Sequence, residues 1–313
     1  MQLITNTFIT ISKRGLSIAT KAVLNHLVGW INQLFGKRFY EKQIYNYRMI
    51  LDLYDRGISR TLLLFGCREL EHKLMLEGYL RPGMTVLDIG ANIGYYALME
   101  LSIIGEKGTL IAVEPSPSNI QLLRRNIKLN GYKDVEIHQA AISDRSGVKK
   151  FFMSEMSNLN TFHDTGTGSL HLSGKTVDVE TKTVGEILKG RKLDLMRMDV
   201  EGHEVEVING LLPLIENGEA EPAIIFETHL SRYNESHDIE GPLRRLFAMN
   251  YKVKMVGSSS ERGTRQIESR GYIGGQAIKS DGVSRVIFED LDEQDAIDLI
   301  CREGGIRTVL LSR

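Results

Sequence analysis

The chain has 313 residues, with 39 Lys plus Arg against 40 Asp plus Glu and a formal net charge of −1. That length suits one large α/β core with extensions. The balanced charge speaks against nucleic acid, which usually selects a basic surface. Cys67 and Cys301 lie far apart, outside any C-x-x-C or histidine pattern, so neither a disulfide framework nor a structural zinc site is expected and a reducing cytoplasm is the default location. No uninterrupted apolar run is long enough for a transmembrane helix.

In chain order, residues 16–35 come first. Lys21, Asn25, His26, Asn32 and Gln33 interrupt an apolar pattern in which Ala19, Val23, Leu27, Trp30, Ile31 and Leu34 recur at helical spacing. An amphipathic helix packed on its own domain or on a partner subunit is the expectation, and a membrane surface is the alternative. No cleavage pattern of a signal peptide follows. A short strand over 49–54 and a helix over 68–80 lead to the Arg81-Pro82-Gly83 break. Glu69, at the start of that helix, is a candidate to face a cofactor. Residues 1–67 are therefore read as a helical extension and 68–313 as the main domain.

From residue 84 strands and helices alternate: strand 84–89, helix 95–104, strand 109–113, helix 118–130, strand 135–142. This pattern predicts right-handed βαβ units, a mostly parallel sheet and helices on both faces. Ligands bind such sheets at the carboxyl ends of the strands. Two glycines, Gly90 and Gly94, follow the first strand in the stretch from Asp88 through Ala91, Asn92 and Tyr95. A dinucleotide fingerprint places a glycine where Asp88 stands, and a carboxylate facing a pyrophosphate would repel it. S-adenosylmethionine, with a cationic amino-acid end and no phosphate, suits that loop better. Glu114, 24 residues beyond Gly90 and followed by Pro115, is placed to accept hydrogen bonds from two ribose hydroxyls. Ala141 and Ile142 close the third strand, where an adenine ring would lie.

Residues 147–192 interrupt the alternation with strands over 148–153 and 177–183, a helix over 184–188 and a polar stretch over 154–174, the composition of a lid or binding segment. A fourth core strand, 193–198, delivers Asp199, Glu201 and Glu204, and a fifth, 223–226, delivers Glu227 and His229. So many carboxylates at strand ends require a cation: a sulfonium, a divalent metal, or Lys or Arg. Asp199, Glu201, Glu227 and His229 are the candidate catalytic group. A histidine or glutamate there can take a proton from a hydroxyl as its oxygen attacks a methyl group, and the same side chains form a hard-metal ligand set. Beyond them lie a helix over 239–249, strands over 251–256 and 283–288 separated by a Gly-, Ser- and Arg-rich segment, and a closing helix over 292–301.

Asp88-x-Gly90-Ala91-Asn92-x-Gly94-Tyr95-Tyr96, Glu114-Pro115, Asp199-Val200-Glu201-Gly202-x-Glu204 and Glu227-x-His229 together resemble the FkbM family of class I S-adenosylmethionine-dependent methyltransferases. The resemblance covers about residues 68–250. It implies a Rossmann-like sheet of seven strands with a reversed last hairpin, and methyl transfer to a hydroxyl of a sugar, a glycan or glycolipid, or a natural product. A homo-oligomer is compatible with it. The rival expectations are an NAD-dependent oxidoreductase and a cofactor-binding scaffold without catalysis.

Overall fold

The computed structural model describes residues 15–163, 172–235 and 237–313. Helix α1 (Leu16–Leu34), the hairpin β1 (Phe39–Ile44) and β2 (Tyr47–Asp52), and helices α2 (Ile58–Phe65) and α3 (Leu70–Tyr79) precede the core. The extension expected to be helical thus carries a two-stranded sheet. Alternating burial along β2, with Tyr47, Met49 and Leu51 inward, fixes that hairpin against the same apolar layer that holds α2 and α3.

The core follows as β3 (Thr85–Ile89), α4 (Tyr95–Ile104), β4 (Thr109–Val113), α5 (Pro117–Leu129) and β5 (Glu136–His138). An insertion then supplies β6 (Ala141–Ile142), β7 (Gly147–Ser154) and β8 (Leu172–Lys182), which form their own three-stranded sheet, and α6 (Val184–Leu188). The strand expected over 135–142 is therefore two strands in different sheets. The core resumes with β9 (Leu195–Met198), α7 (Glu204–Glu216), β10 (Ala223–Glu227), α8 (Glu240–Ala248) and β11 (Lys252–Ser258). Helix α9 (Glu261–Glu268), the hairpin β12 (Ile278–Ser280) and β13 (Val283–Arg285), β14 (Ile287–Leu291), α10 (Glu293–Ile297) with a wide turn at Asp298–Arg302, and β15 (Ile306–Ser312) complete the chain.

The main sheet has the order β14-β11-β15-β10-β9-β3-β4-β5. The strands from β10 to β5 are mutually parallel, and β15 runs antiparallel between β10 and β11. This is the mostly parallel Rossmann-like sheet with a reversed strand, but it holds eight strands where seven were expected. The eighth, β14, pairs with β11. The strand expected over 283–288 divides at Val286 into β13 and β14, and β15 and α9 were not anticipated. β15 (Ile-Arg-Thr-Val-Leu-Leu-Ser) offers only the short apolar run Val309-Leu310-Leu311, buried on both faces of the sheet, and a run that short does not separate strand from helix by periodicity.

Side chains of each central strand alternate between two apolar layers. Leu87, Ile89, Ile111, Val113, Met196 and Met198 enter one; Val86, Leu110, Ala112 and Leu195 enter the other. Asp88 and Arg197 occupy the second face, directly opposite each other in the parallel register. Helix α1 departs from the sequence reading. It packs through Ala19, Ala22 and Gly29, while Leu27, Trp30, Ile31 and Leu34 of the expected buried stripe are exposed.

Candidate active site

A cavity of about 750 Å³ opens at the carboxyl ends of β3, β4 and β9, within the usual range of ligand pockets. Gly90, Ala91, Asn92, Tyr95, Glu114, Pro115, Ala141, Ile142, Asp199 and Glu201 all line it. Asp88, Glu69, Gly94, Glu227 and His229 do not appear on its wall.

The glycines serve the fold. Gly90 has φ +77°, and a Cβ there would stand 2.1 Å from the carbonyl oxygen of Asp199. The tips of β3 and β9 can approach only because that position lacks a side chain. Gly94, at φ +94°, faces Leu123 of α5 at 2.9 Å in the same sense. Backbone strain gathers here too: Glu69, Asn92 and Glu201 adopt left-handed φ without being glycine.

Asp88 lies behind the cavity wall. It is fully buried, and its Oδ1 accepts a hydrogen bond from Arg197 Nη1 at 3.0 Å. Arg197 also donates to Gly90 O at 3.2 Å and Asp199 Oδ2 at 3.3 Å and lies 4.1 Å over the Tyr96 ring. A charge at that depth needs a partner within the protein, and Arg197 supplies it at Oδ1. Glu69 is likewise held by protein partners. Its carboxylate accepts from Arg68, from Tyr96 at 2.6 Å and from Arg307 at 2.7 Å. Burial would raise Glu69, but Arg68 and Arg307 outweigh it and hold the carboxyl well below its usual range.

Glu114 faces the cavity while tying its loops together. Oε2 accepts from Asn92 N at 2.9 Å, and Oε1 accepts from Ser116 N at 2.9 Å and Asn119 Nδ2 at 3.4 Å. A carboxylate has about four acceptor positions, so Oε2 retains capacity for a hydroxyl donor. Burial pushes this carboxyl up to about 7 despite those donors. The opposite end of the cavity is apolar, with Ala140, Ala141, Ile142, Phe151 and Phe162. Phe162 lies 4.8 Å from Phe151 and 4.6 Å from His203, centroid to centroid. Ser157, Asn158, Asn160 and Phe162 all come from the polar insertion. Ser157 O accepts from Asn119 Nδ2 at 2.9 Å, which fastens the insertion over the cavity. Residues 164–171 of that stretch lie outside the described residues.

Next to Asp199 and Glu201 stands the second predicted group. His229 Nδ1 is 2.9 Å from Glu204 Oε1, and its Nε2 is 3.5 Å from Glu201 Oε2 and 3.9 Å from Glu227 Oε1. Glu204 also accepts from Gly202 N and Tyr233 Oη, so it fixes the Nδ1–H edge of the imidazolium and turns the Nε2–H edge toward Glu201. Burial alone would lower His229; the Glu204 carboxylate overrides it and raises the imidazole well above its usual value. Burial pushes Glu201 up to about 7 against His229, and pushes Glu227 up to about 8 against Arg307, whose Nη2 is 2.8 Å away. Ligand atoms of Asp199, Glu201 and His229, and separately of Glu69, Asp199 and Glu227, lie within 4.8 Å of one another. A divalent ion fits that spacing, yet Arg68, Arg197, Arg307 and His229 already supply positive charge to these carboxylates. Sequence reading missed all three arginines. For Arg197 a signal existed: a lone charge inside the apolar run Leu195-Met196-Arg197-Met198 of a central strand demands a buried partner.

Sheet order, reversed strand and a cavity at the carboxyl ends together define a class I S-adenosylmethionine-dependent methyltransferase fold. Residues 88–253 match the methyltransferase FkbM domain family, and the chain belongs to that family. Residues 5–151 also match the protein-L-isoaspartate(D-aspartate) O-methyltransferase family. Among individual relatives, the chain is 26% identical over 144 residues to Methyltransferase 1 of Beauveria bassiana, covering 40% of this chain and 57% of that protein. It is 25% identical over 161 residues to the 31-O-demethyl-FK506 methyltransferase FkbM of Streptomyces tacrolimicus, covering 42% and 61%. A crystal structure of methyltransferase FkbM from Methylobacillus flagellatus aligns at 15% identity and TM-score 0.36, covering 74% of this chain and 54% of that one. The chain thus spans less than two thirds of the length of these curated relatives. No helix among the described residues is long and apolar enough to cross a membrane.

Proposed function

We propose that the chain is an S-adenosylmethionine-dependent O-methyltransferase acting on a hydroxyl of a sugar, a glycan or glycolipid, or a natural product. The observation that carries this reading is a single cavity with an apolar end, a carboxylate with spare acceptor capacity in its middle, and an acidic edge. Those features fit the adenine, ribose and sulfonium parts of the cofactor in that order. Ala141, Ile142 and Phe162 would hold the ring, Glu114 the ribose hydroxyls, and the wall from Asn92 to Asp199 the amino-acid end. When bound, the cofactor supplies an electrophilic methyl group.

The chain's own residues supply alignment and proton handling. Holding acceptor oxygen, methyl and sulfur in line accounts for most of the acceleration such a transfer needs. Of the four candidate catalytic residues only Asp199 and Glu201 line the cavity, so the proton-accepting role passes to Glu201. A carboxyl near 7 is matched to that task at neutral pH. His229 stands behind it as the Glu204-oriented partner that holds Glu201, with Glu227 sharing the same cluster. A hydroxyl reaching this wall meets the hydrogen-bond acceptors Asp199 and Glu201, which supports hydroxyl transfer over the carboxyl chemistry named for the isoaspartate relatives. The dehydrogenase alternative has lost its support to the family assignment. Asp88, once expected to repel a pyrophosphate, is replaced in that role by Glu114, Asp199 and Glu201.

Calorimetric titration with S-adenosylmethionine and S-adenosylhomocysteine tests the cofactor, and the absence of heat with both would refute the reading. Tritium-labelled cofactor incubated with fractionated glycan, lipid and metabolite extracts tests the acceptor. Label in a base-stable ether supports hydroxyl transfer; label released as methanol by mild base indicates a carboxyl ester instead.

A further inference from the structure

Helix α1 presents its large apolar side chains to the outside. Leu16, Leu24, Leu27, Ile31 and Leu34 lie on one half of a 3.6-residue wheel, and Leu24, Leu34 and the following Phe35 are 57%, 65% and 79% exposed. The orientation is held from the other side. Ala19, Ala22 and Gly29 are the buried residues, and a Cβ at Gly29 would come within 2.8 Å of Leu63 Cδ2 on α2. Asn25 Nδ2 donates to Leu64 O at 2.9 Å, and Gln33 Nε2 donates to Leu53 O at 2.7 Å. Small and polar residues therefore fix the helix to the domain, and the apolar stripe is left for another occupant. Stripes of this extent mark interaction surfaces.

Charge selects the occupant. Residues 1–40 contain Lys13, Arg14, Lys21, Lys37 and Arg38 and neither aspartate nor glutamate, while the whole chain is at −1; Arg38 is paired with Asp52 at 2.9 Å and Lys13 and Arg14 lie outside the described residues, so Lys21 and Lys37 are the described lysines beside the stripe. The remainder is accordingly net acidic. A second copy docked stripe to stripe would bring two basic segments together, whereas an anionic surface would pair with them. Trp30, half exposed beside the stripe, suits the boundary between headgroups and acyl chains. α1 is also continuous with a binding feature. Ile18, Lys21 and Asn25 line a second cavity of about 810 Å³ together with Lys279, Asp281 and Arg68, the last of which borders the first cavity as well.

We infer that α1 seats the protein on an anionic lipid surface, lying in the plane of the interface with its exposed apolar stripe inserted and its basic residues at the headgroups. This inference stands on the helix alone and does not depend on methyl transfer.

Trp30 is the sole tryptophan of the chain and reports directly on the seat. The full chain is mixed with vesicles of phosphatidylcholine alone or with added phosphatidylglycerol, and flotation and tryptophan emission are read together. Wild type is expected to float with the mixed vesicles and to shift its emission to the blue, both reversed by raised salt. Leu27→Glu/Ile31→Glu is expected to lower vesicle partitioning by about tenfold to a hundredfold, and Lys37→Glu to weaken it less. Calorimetric binding of S-adenosylhomocysteine and circular dichroism verify that these exposed-site variants are folded. No flotation and no shift for wild type overturns the inference. Equal binding to pure phosphatidylcholine overturns its anionic part. A dimer in sedimentation velocity that Leu27→Glu/Ile31→Glu dissociates, without vesicle binding, overturns it in favour of a second copy of this chain.

Discussion

Arg197 stands opposite Asp88 in the parallel register between β3 and β9 and binds its carboxylate at 3.0 Å, with neither side chain more than 2% exposed. Burial pushes the Asp88 carboxyl above its ordinary value against the pull of this guanidinium. Arg197 then reaches Gly90 O and Asp199. The motif aspartate therefore acts on the site by holding the arginine that ties two strand tips together.

Replacing Arg197 with Met is expected to lower stability by about 3–5 kcal/mol, because Asp88 is left as an uncompensated buried charge. Asp88→Asn in the same chain should restore part of that loss, since the charge requiring compensation is gone. Arg197→Lys should also destabilise, because an ammonium cannot reproduce the planar fork that serves Asp88, Gly90 and Asp199 at once. Urea unfolding of the double-mutant cycle measures the coupling; additive losses would refute it.

The His229–Glu204 pair has a stability window with a definite sign. His229 is raised from 6.5, so its contribution is complete below 6.5 and is lost as pH rises through the folded value. Glu204 is lowered from 4.5, burial being outweighed by His229, so its contribution is complete above 4.5 and is lost as pH falls through the folded value. The pair therefore stabilises most between 4.5 and 6.5. Glu204→Gln is expected to lower Tm most within that window and progressively less on either side, as read by thermal melts across pH. A difference that is flat with pH would contradict the pairing.

The alternating part of the fold was legible because apolar periodicity, glycine breaks and strand lengths agree from 84 to 138, and helix 95–104 and strand 109–113 match α4 and β4 to the residue. Legibility fails where the buried face is not the apolar one. α1 packs its small residues, and the wheel of Leu27, Ile31 and Leu34 pointed the wrong way. The order in which the candidate residues reach the carboxyl edge of the sheet was readable, but their directions were not. Asp88 and Glu69 look like ligand contacts until Arg197 and Arg307 arrive from other strands; the lone charge of Arg197 in its apolar strand and Arg68 beside Glu69 were the only local hints, and neither names its partner.

Gly90→Ala should be disruptive out of proportion to one methyl group. It combines a left-handed φ with a contact of 2.1 Å to a backbone carbonyl that cannot rotate away. The expected cost is about 2–5 kcal/mol, from strain and overpacking together. Opening of the β3–β9 junction should also abolish cofactor binding in whatever fraction remains folded. Wild-type melting and wild-type affinity in this variant would show that the loop relaxes freely.

Glu201→Gln separates chemistry from binding. The amide keeps the size of the side chain and removes its capacity to take a proton, so kcat should fall by about 10²–10⁴-fold while the Kd of S-adenosylhomocysteine, which lacks the sulfonium charge, changes little. His229→Asn should lower kcat through the loss of the partner of Glu201, and the two substitutions together should cost much less than the product of their separate effects. Single-turnover methyl transfer to the identified acceptor provides the rates. Unchanged kcat in Glu201→Gln would remove Glu201 from the mechanism.

Glu114 ties cofactor affinity to pH. Its carboxyl, pushed by burial to about 7, is half protonated near neutrality, and hydroxyl donors bind the ionised form. S-adenosylhomocysteine should therefore bind more weakly as pH falls below about 7, and binding near 7 should release a proton, visible as a calorimetric heat that changes with buffer ionisation enthalpy. The folding contribution has the opposite sense. A carboxyl raised from 4.5 favours the folded state in acid, and that advantage is lost as pH rises from 4.5 through 7. Glu114→Gln places an amide N–H against one of the donors from Asn92, Ser116 and Asn119, so it should weaken cofactor binding about tenfold to a hundredfold and erase the proton release. A variant that binds as tightly as wild type, with the proton release intact, would show that the ribose contact lies elsewhere.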